Sequence, residues 1–526
     1  MCCLYFFVAG AAFLPHLGIE DDEALFAEAI YHPRSELFAV HIGRSHIPVM
    51  LMSYLGTLKA LIYKPIFLVW GTGIRTLRTP MLLAGAISLW LFFLLLRRIA
   101  GDRAALIGCG LLAVDSMYLL TVCFDWGPVA LQHLLLLGGA LLLVRFYQQG
   151  EHGALAGGFF LFGLAMWDKA LAVWLLSGMA VATLLILPRQ VFSRITGRRI
   201  VIAVLAFAIG AFPLLIYNAE NHWVTFRGNF QRDPNGIGGK ARLLFNTASG
   251  PGLFGWLTNE DWQTPVPHRP EGALESTSAR ISAIAGHPRQ GLLAYAFALA
   301  LLVTPLARGN SLRAILFALI TMAVAWVQMA ITANTGGSVH HTILLWPLPE
   351  LIVAVAFAAV ADRLGRAGMT AVAAVVIGMM TSGALVINEY YTMMRRCGGA
   401  QSWNQAIFRL ADYARESTAK TLYCLDWGIM DQLRLLGAGK IPVAMGSDPV
   451  SKPEISPDDR AMALRMIAEP ESIYICHTKD FEFFPGNSTR LIQLAAESGY
   501  RRDVMASISD PYGRQVYEVY RFSKPE

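Results

Sequence analysis

Long apolar runs separated by arginine-rich turns are the feature that most restricts what this chain can fold into. About eleven runs approach or reach the roughly 17–25 residues that a helix needs to cross the ~30 Å hydrocarbon core of a bilayer. They are residues 2–17, 77–96, 104–122, 128–146, 153–167, 170–187, 200–217, 291–307, 313–333, 343–361 and 369–388. Of the 526 residues, 55% are hydrophobic and only 15% are charged, with a mean hydropathy of +0.47. Because a soluble core of this size buries less apolar surface, the sequence predicts a polytopic α-helical membrane protein.

Three of these runs are short. The run 2–17 leaves open whether the printed start lacks a few residues, but it differs from a secretory signal peptide. No Lys or Arg precedes it, and no small-x-small cleavage pattern precedes the acidic residues that follow. The runs 153–167 and 170–187 leave a tilted or re-entrant pair open.

The distribution of arginine predicts the orientation of the chain. With the N-terminus in the cytoplasm, every short cytoplasmic connection carries arginine, as the positive-inside rule requires. These residues are Arg97, Arg98, Arg103, Arg145, Arg189, Arg194, Arg198, Arg199, Arg308, Arg313, Arg363 and Arg366. The net charge of +6 is therefore interpreted as membrane topology rather than as a nucleic-acid surface. Residues 18–76, 218–290 and 389–526 then face outward, which predicts a multi-pass protein of a bacterial-type inner membrane that works on the extracytoplasmic side.

The tail after residue 388 changes character, with short apolar segments in place of long ones. Segments 421–426, 472–476 and 514–522 have the pattern of strands, and 428–436 and 488–499 have the pattern of helices between them. We therefore predict two parts: a transmembrane domain over residues 1–388 and a small extracytoplasmic α/β domain over residues 389–526.

The seven cysteines add little. Cys2, Cys3, Cys109 and Cys123 lie in apolar segments, where cysteine is usually a packing residue. Cys397, Cys424 and Cys476 lie in the tail, and pairing of Cys424 with Cys476 stays open because the predicted compartment is oxidising. No Cys-x-x-Cys or His-x-x-x-His metal-binding spacing occurs.

Four consecutive acids, Glu20-Asp21-Asp22-Glu23, directly follow the first apolar run. Adjacent carboxylates repel each other, and they are costly beside hydrocarbon, so the cluster is a candidate active site. Apolar residues at helical spacing follow, which predicts an interfacial helix with the acids in its first turn. Capping of that helix explains one or two of the acids rather than all four.

Basic residues form a second candidate group in the first outward segment. Arg44, His46, Lys59 and Lys64 lie in or beside apolar stretches that cover residues 46–70, which we also interpret as interfacial helices. The positive-inside rule predicts few cations on the outward face, so cations found there need another explanation. Binding of an anionic ligand is one such explanation. Snorkelling toward lipid headgroups is the competing interpretation for each of them.

The remaining candidates lie in short outward turns. Asp125 lies in the turn Asp125-Trp126-Gly127-Pro128, where a solvated turn acid is the alternative. Lys169 follows Asp168 at the next membrane boundary, where an interface anchor is equally compatible. Adjacent His340 and His341 follow a flexible Gly-Gly and suit a phosphate or a sugar, or else a structural pair of interfacial histidines.

Taken together, these residues resemble the GT-C glycosyltransferases. The first outward segment carries Asp22-Glu23-Ala24-Leu25-Phe26-Ala27-Glu28, and it is followed by Arg75-Thr76-Leu77-Arg78-Thr79-Pro80, the arginine-rich turn at 97–106, Asp125 and Lys169. This order and sidedness resemble the branch of dolichyl-phosphate-mannose protein mannosyltransferases and aminoarabinose lipid A transferases over residues 4–390. The chain departs from that pattern after the acids, where Leu-Phe replaces an aromatic-Arg-Tyr segment, and the tail beyond 390 resembles nothing assigned.

The resemblance implies an inverting transfer of a sugar from a polyprenyl-phosphate donor to a hydroxyl acceptor on a glycolipid, lipid A, a protein or a wall glycan. It carries the role of general base to Asp22, with Asp21 as the off-by-one rival, and a catalytic supporting role to Asp125. The leaving phosphate develops negative charge, which fixed cations neutralise. Because a polyprenyl monophosphate need not bring a metal of its own, the resemblance also implies no obligatory metal or cofactor. The implied donor-binding and acceptor-binding residues are Glu23, Arg44, His46, Lys59, Lys169, His340 and His341.

Two other function classes compete. A multi-span transporter would use the intramembrane acids Asp115 and Glu350, but no matching halves of the chain are found. A membrane sensor would read a ligand through residues 389–526, and it would not need the acids at 20–23.

Overall fold

The computed structural model describes residues 1–32, 37–43 and 45–524. Its first part begins with the apolar helix α1 and continues with two short helices that carry the acidic run. A small sheet and an amphipathic helix follow. The helices are α1 (Cys2–Phe13), α2 (Asp21–Ala24), α3 (Ala27–Tyr31) and α4 (Leu58–Trp70), and the strands are β1 (Phe38–Ile42), β2 (Ser45–Met52) and β3 (Leu55–Gly56).

The small sheet is an antiparallel meander in the order β1-β2-β3. The sequence predicted interfacial helices across residues 46–70, and the structure has a helix only from Leu58 onward. Apolar β-branched and aromatic residues suit a half-buried strand as well as an interfacial helix, so a short run does not distinguish the two. The backbone amide of Ala170 donates to the carbonyl of Tyr54 at 2.9 Å, which joins this meander to a turn of the helical bundle.

The helical bundle occupies most of the chain up to residue 397. Its helices are α5 (Ile74–Ala113), α6 (Ser116–Cys123), α7 (Val129–Gln149), α8 (His152–Asp168), α9 (Ala172–Ile186), α10 (Pro188–Arg194), α11 (Gly197–Gly210), α12 (Phe212–Glu220), α13 (Val224–Asn229), α14 (Ile237–Ser249), α15 (Gly272–Ile284), α16 (Leu293–Val303), α17 (Gly309–Ile331), α18 (Val339–Thr342) and α19 (Leu348–Cys397).

Every predicted apolar run lies mainly on helix, but the number of eleven spans is not confirmed. Within the described residues, four helical segments are long and apolar enough to cross a membrane: Ile74–Ala113, Val129–Gln149, Gly309–Ile331 and Val339–Cys397. The number rises to six if the bent pairs α9–α10 (98°) and α11–α12 (76°) each form one span. Two predicted runs overlap each of α5 and α19, where non-helical backbone at Gly101 (φ +87°) and Gly365 (φ +58°) divides the helix.

The tail forms an α/β domain, as predicted. Its helices are α20 (Ala406–Glu416), α21 (Met430–Leu436), α22 (Pro457–Ala468) and α23 (Asn487–Glu497), and its strands are β4 (Thr421–Cys424), β5 (Val443–Met445), β6 (Ser472–His477), β7 (Arg501–Ser509) and β8 (Gln515–Ser523). The sheet order is β5-β4-β6-β8-β7, with β4 parallel to both β5 and β6 and with β8 antiparallel to both β6 and β7. The helix α19 extends to Cys397, beyond the predicted boundary at residue 388.

The two cysteines of the sheet lie on opposite faces. Cys424 packs in the apolar layer that contains Leu410 and Val519, whereas Cys476 packs in the layer that contains Leu491 and Tyr520. Neighbouring parallel strands place Cys424 opposite Ile475, so the next residue along β6 points away from Cys424. All seven cysteines are free thiols.

Candidate active site

The acidic run folds as the start of α2, with Glu20 as its cap. The Glu20 carboxylate accepts a hydrogen bond from the backbone amide of Asp22 at 2.7 Å. Glu20, Asp21 and Glu23 are buried, whereas Asp22 stays partly exposed. Burial raises the pKa of Glu20 and of Asp21 well above the usual range, and their acidic neighbours raise both further. Capping therefore explains one acid of the four.

Glu23 is held by Arg78, an arginine of α5 that is completely buried. The guanidinium donates to both carboxylate oxygens, from Nε at 2.6 Å and from Nη2 at 2.8 Å. It also donates to three carbonyls of the preceding segment, those of Leu14 at 2.7 Å, Leu17 at 3.2 Å and Gly18 at 2.6 Å. This arginine clamp, Arg78 with its four partners, fixes the entry of the chain into α2. From the sequence, Arg78 was recognised only as part of the segment 75–80 that resembles the GT-C family. No sequence signal indicated its contact with Glu23.

Lys59 and Asp125 form a buried ion pair beside α2. The Lys59 Nζ lies 2.7 Å from Asp125 Oδ2, and the two side chains are 5% and 2% exposed. The ammonium also donates to the carbonyl of Glu23 at 3.3 Å and lies 4.6 Å from the centre of the Phe26 ring. The structure thus brings together a predicted cation of the first large segment and the predicted acid of the second turn.

Lys169 is a second buried lysine near the acidic run. Its Nζ donates to the carbonyl of Gly127 at 3.1 Å, and the residue is 4% exposed. Burial raises the pKa of Asp22, while Lys169 and then Lys59 lower it. Asp22 is therefore a partly exposed carboxylate on which the charges of two buried ammonium groups act. Asp168, beside Lys169, instead accepts a hydrogen bond from the side-chain amide of Gln132 at 3.0 Å.

The predicted histidines lie next to Lys169. The ring of His340 contacts the Trp126 ring at 4.4 Å between centres and the His341 ring at 4.1 Å. A Cβ atom added to Gly127 would lie 2.9 Å from Lys169 Nζ and 3.2 Å from the His340 ring, so these groups enclose one small space. His340 Nδ1 is 2.8 Å from the Ser338 hydroxyl.

The other predicted cations are placed differently. Arg44 lies outside the described residues. His46 Nδ1 is 2.9 Å from His41 Nε2 across the β1–β2 pair. His46 and Lys64 also line a cavity of about 250 Å³ whose walls include Ile30 and Pro48. In the described part of the chain, no three His, Cys, Asp or Glu side chains are grouped so that they could hold a metal ion.

The intramembrane acids that suggested a transporter lie deeper in the bundle. Asp115 caps α6 by accepting from the backbone amide of Tyr118 at 2.7 Å, and it accepts from Trp346 Nε1 at 3.2 Å. Glu350 is completely buried in α19. The capping contact supplies a structural role for Asp115.

The α/β domain contributes residues that no sequence signal indicated. Asp431 and Arg434 of α21 form an ion pair at 2.7 Å, and Arg434 lies 3.5 Å from Glu28 of α3. The backbone amide of Gly428 lies close enough to the Asp21 carboxyl to lower its pKa, although burial and the neighbouring acids raise that pKa by more. The tail therefore reaches the acidic run itself.

The family comparison covers one part of this site, the part that contains Lys59, Arg78, Asp125 and Lys169. Residues 57–217 match the family model described as dolichyl-phosphate-mannose-protein mannosyltransferase. None of the curated proteins matches the sequence.

Solved structures share the fold over nearly the whole chain at low sequence identity. ArnT from Cupriavidus metallidurans bound to undecaprenyl phosphate is 14% identical with a TM-score of 0.58, over 98% of this chain and 96% of that chain. The archaeal oligosaccharyltransferase AglB from Archaeoglobus fulgidus, in complex with an inhibitory peptide and a dolichol-phosphate, is 12% identical with a TM-score of 0.50, over 100% and 74%. The arabinofuranosyltransferase AftD from Mycobacteria is 14% identical with a TM-score of 0.50, over 99% and 41%. The family match over residues 57–217 and the shared fold confirm the predicted resemblance: the chain has the fold of the GT-C glycosyltransferases.

Proposed function

We propose that this enzyme transfers the sugar with inversion to a hydroxyl acceptor on the extracytoplasmic face, with Asp22 as the general base. The observation that carries the proposal is the difference between Asp22 and its neighbours. Glu20 caps a helix, Asp21 is buried with the charges of Asp431 and Arg434 acting on it, and Glu23 is bound by Arg78. Asp22 is partly exposed and faces two lysines.

The proposed step needs a base and a stabilised leaving group. Asp22 takes the proton of the acceptor hydroxyl while that oxygen forms a bond to the anomeric carbon. The bond from this carbon to the phosphate oxygen breaks, and the polyprenyl phosphate leaves with the electron pair. Burial raises the pKa of Asp22, which brings it nearer to the range of an effective base. The proton ends on Asp22, and the new charge resides on the phosphate.

Lys169 is the side chain best placed to meet that charge. It is buried, and the hydrogen bond from its Nζ goes to a neutral carbonyl, that of Gly127. Lys59 is paired with Asp125, so we assign Asp125 to orienting Lys59 and assign this pair to a supporting position. His340 and His341 border the same space and supply polar contacts. A buried ammonium stabilises a developing phosphate charge strongly because little water screens it.

Sidedness supports an extracytoplasmic site in a bacterial-type inner membrane. The broken helices turn at Gly101 and Gly365, where Arg103 pairs with Asp362. Under the positive-inside rule this arginine-rich end of the bundle is cytoplasmic. The acidic run and the α/β domain lie with the large loops, which the same rule places outside.

The comparisons support the proposed donor class. Undecaprenyl phosphate is bound in the ArnT structure and a dolichol-phosphate in the AglB structure, which supports a polyprenyl-phosphate-linked sugar as donor. We propose a glycolipid, lipid A, a protein or a wall glycan as acceptor. Lys169 and Lys59 supply the positive charge that the step needs, and the proposal includes no obligatory metal.

The test uses the full chain in lipid nanodiscs with a panel of fluorescent polyprenyl-phosphate sugars. Asp22→Asn is expected to lower kcat by about 10²–10⁴-fold, as for loss of a general base, and to leave donor binding unchanged. Asp458→Asn is the matched control, because Asp458 is also an acid in the first turn of a helix but is exposed. Transfer at the wild-type rate by Asp22→Asn would overturn the assignment, and loss of activity in Asp21→Asn alone would move the role by one residue.

The same assay tests the lysine. Lys169→Met is expected to weaken donor binding and to move the acidic limb of the pH–rate profile to higher pH. The sign follows because Lys169 lowers the pKa of Asp22, so its removal delays ionisation of the base. Lys420→Met, which alters an exposed lysine of the α/β domain, serves as control.

A further inference from the structure

The α/β domain points the carboxyl ends of two parallel strands toward the acidic run. From β4 the chain crosses to β5 on one side and then returns to β6 on the other, so the strand order reverses between β4 and β6. Such a switch point opens a crevice at the carboxyl ends of the strands. Here the crevice is filled by the chain itself. The buried Asp426 accepts from His477 Nδ1 at 2.9 Å and from the backbone amides of Phe483 at 2.9 Å and Phe484 at 3.0 Å.

This filled crevice holds the loop that leads into α21. Asp426 also accepts from the backbone amide of Trp427, and the Trp427 and Phe483 rings lie 4.8 Å apart. The loop then brings the Gly428 amide close enough to Asp21 to lower the pKa of that carboxyl. Gly428 has φ +77°, a conformation that favours glycine. The domain thus places a backbone N–H group beside the acidic run.

The helix α21 makes the second contact. Leu435 is 1% exposed and packs in the same apolar core as the membrane helices. Gly439, just beyond α21, is so close to α3 that a Cβ atom there would lie 2.7 Å from Tyr31 Cβ. The interface therefore has no room for sliding between α21 and the acidic helices.

Arg434 is the cation of this interface. Three carboxylates, those of Asp21, Glu28 and Asp431, surround it, and it is only 5% exposed. Its Nη1 lies 2.7 Å from Asp431 and 3.5 Å from Glu28. Without this guanidinium, three buried or half-buried acids would repel each other directly beside Asp22.

We propose that the α/β domain is part of the catalytic site and that Arg434 is a positioning residue, which holds α2 and α3 so that Asp22 faces the two lysines. This inference rests on the proposed role of Asp22. Arg434 does not touch substrate; it acts through Asp21 and Glu28, which flank the base along the chain. The domain then contributes to the rate of transfer rather than only to acceptor recognition.

The charged groups around the acids predict a pH dependence. Asp431 raises the pKa of Asp21, and Arg434 lowers it. Among the described residues, the titratable groups around Asp21 and Asp22 are the cap Glu20, Glu23 on α2, Glu28 on α3, Asp431 and Arg434 on α21, Tyr54 between β2 and β3, Lys59 on α4 and Lys169 in the α8–α9 turn. Removing Arg434 should therefore delay ionisation of the coupled acids, and removing Asp431 should advance it.

The experiment measures kcat, KM, donor binding and the pH–rate profile of the full chain in nanodiscs. Arg434→Ala is expected to lower kcat by about tenfold or more, as a misplaced catalytic group does, with donor binding unchanged and the acidic limb at higher pH. Arg434→Lys keeps the charge and should keep the acidic limb near its wild-type position, with part of the loss in kcat. Arg460→Ala is the control, because Arg460 is an exposed arginine of the same domain that pairs with Glu497 at 2.9 Å.

Asp431→Asn supplies a test of opposite sign, because it removes an acid and should move the acidic limb to lower pH. It also keeps the inference testable if Arg434→Ala does not yield monodisperse protein. Wild-type kcat and pH profile in Arg434→Ala, or a limb that moves upward in Asp431→Asn, would overturn the role of Arg434. If Asp22→Asn loses transfer while Arg434→Ala keeps wild-type kcat and pH profile, only this inference is overturned. If Asp22→Asn keeps full activity, the proposed function is overturned.

Discussion

Replacing Arg78 with methionine tests the arginine clamp, the element that fixes the chain before the catalytic acids. Methionine keeps much of the side-chain length and removes the charge and all five hydrogen bonds. Those bonds go to the two Glu23 oxygens and to the carbonyls of Leu14, Leu17 and Gly18. Since Arg78 is 0% exposed, water does not replace them without a local rearrangement.

The expected cost follows from the geometry. Removing one partner of a buried ion pair costs about 3–5 kcal/mol, because the other charge stays buried without a partner. Each carbonyl that loses its charged donor adds to this, although protonation of Glu23 offsets part of the loss. We therefore expect Arg78→Met to lower the free energy of unfolding by at least about 4 kcal/mol. The double variant Arg78→Met with Glu23→Leu should be more stable than Arg78→Met alone, because no buried charge is left behind.

The control lies on the same helix. Arg97 pairs with Asp102 at 2.7 Å, a distance close to that of the clamp, but the two side chains are 58% and 71% exposed. Arg97→Met should cost less than about 1 kcal/mol, the usual range for a surface pair. The measurement is denaturant unfolding in mixed micelles, with transfer activity followed in parallel. A cost below about 1 kcal/mol for Arg78→Met would refute the reasoning, as would a double variant that is less stable than the single one.

Two further predictions concern the centre of the site. Lys59→Met and Asp125→Asn should each lower kcat in steady-state assays. Because the pair acts as a unit, kcat of the double variant should be no lower than that of the more impaired single variant. Additive losses of kcat would contradict this. Gly127→Ala should lower kcat by about tenfold or more, because a Cβ atom at φ +68° would lie 2.9 Å from Lys169 Nζ. Gly150→Ala is its control, because Gly150 has a similar φ of +75° but no atom within 4 Å of the added Cβ. Equal kcat in the two variants would show that transfer does not need the space beside Lys169.

Local sequence patterns predicted much of the fold. The apolar runs all lie mainly on helix, and the strand patterns at 421–426, 472–476 and 514–522 became β4, β6 and β8. These patterns succeed because hydrophobic periodicity and length report on local structure. They do not distinguish a span from a bent or interrupted helix, as α9–α10 and the break at Gly365 show. They also missed the meander at 38–56, whose pairing depends on residues distant in the chain.

For the site, the sequence by itself determined which residue types are available: an acidic run, outward cations and an acid in a tight turn, at positions where charge is costly enough to need a function. Tertiary structure alone decided their partners. It placed Asp125 against Lys59, gave Glu23 to Arg78, left Asp22 facing Lys169 and brought Arg434 from the tail to the acidic run. The physical reason is that an ion pair forms between groups that folding brings within a few ångströms, and residues separated by tens or hundreds of positions carry no local signal of that proximity.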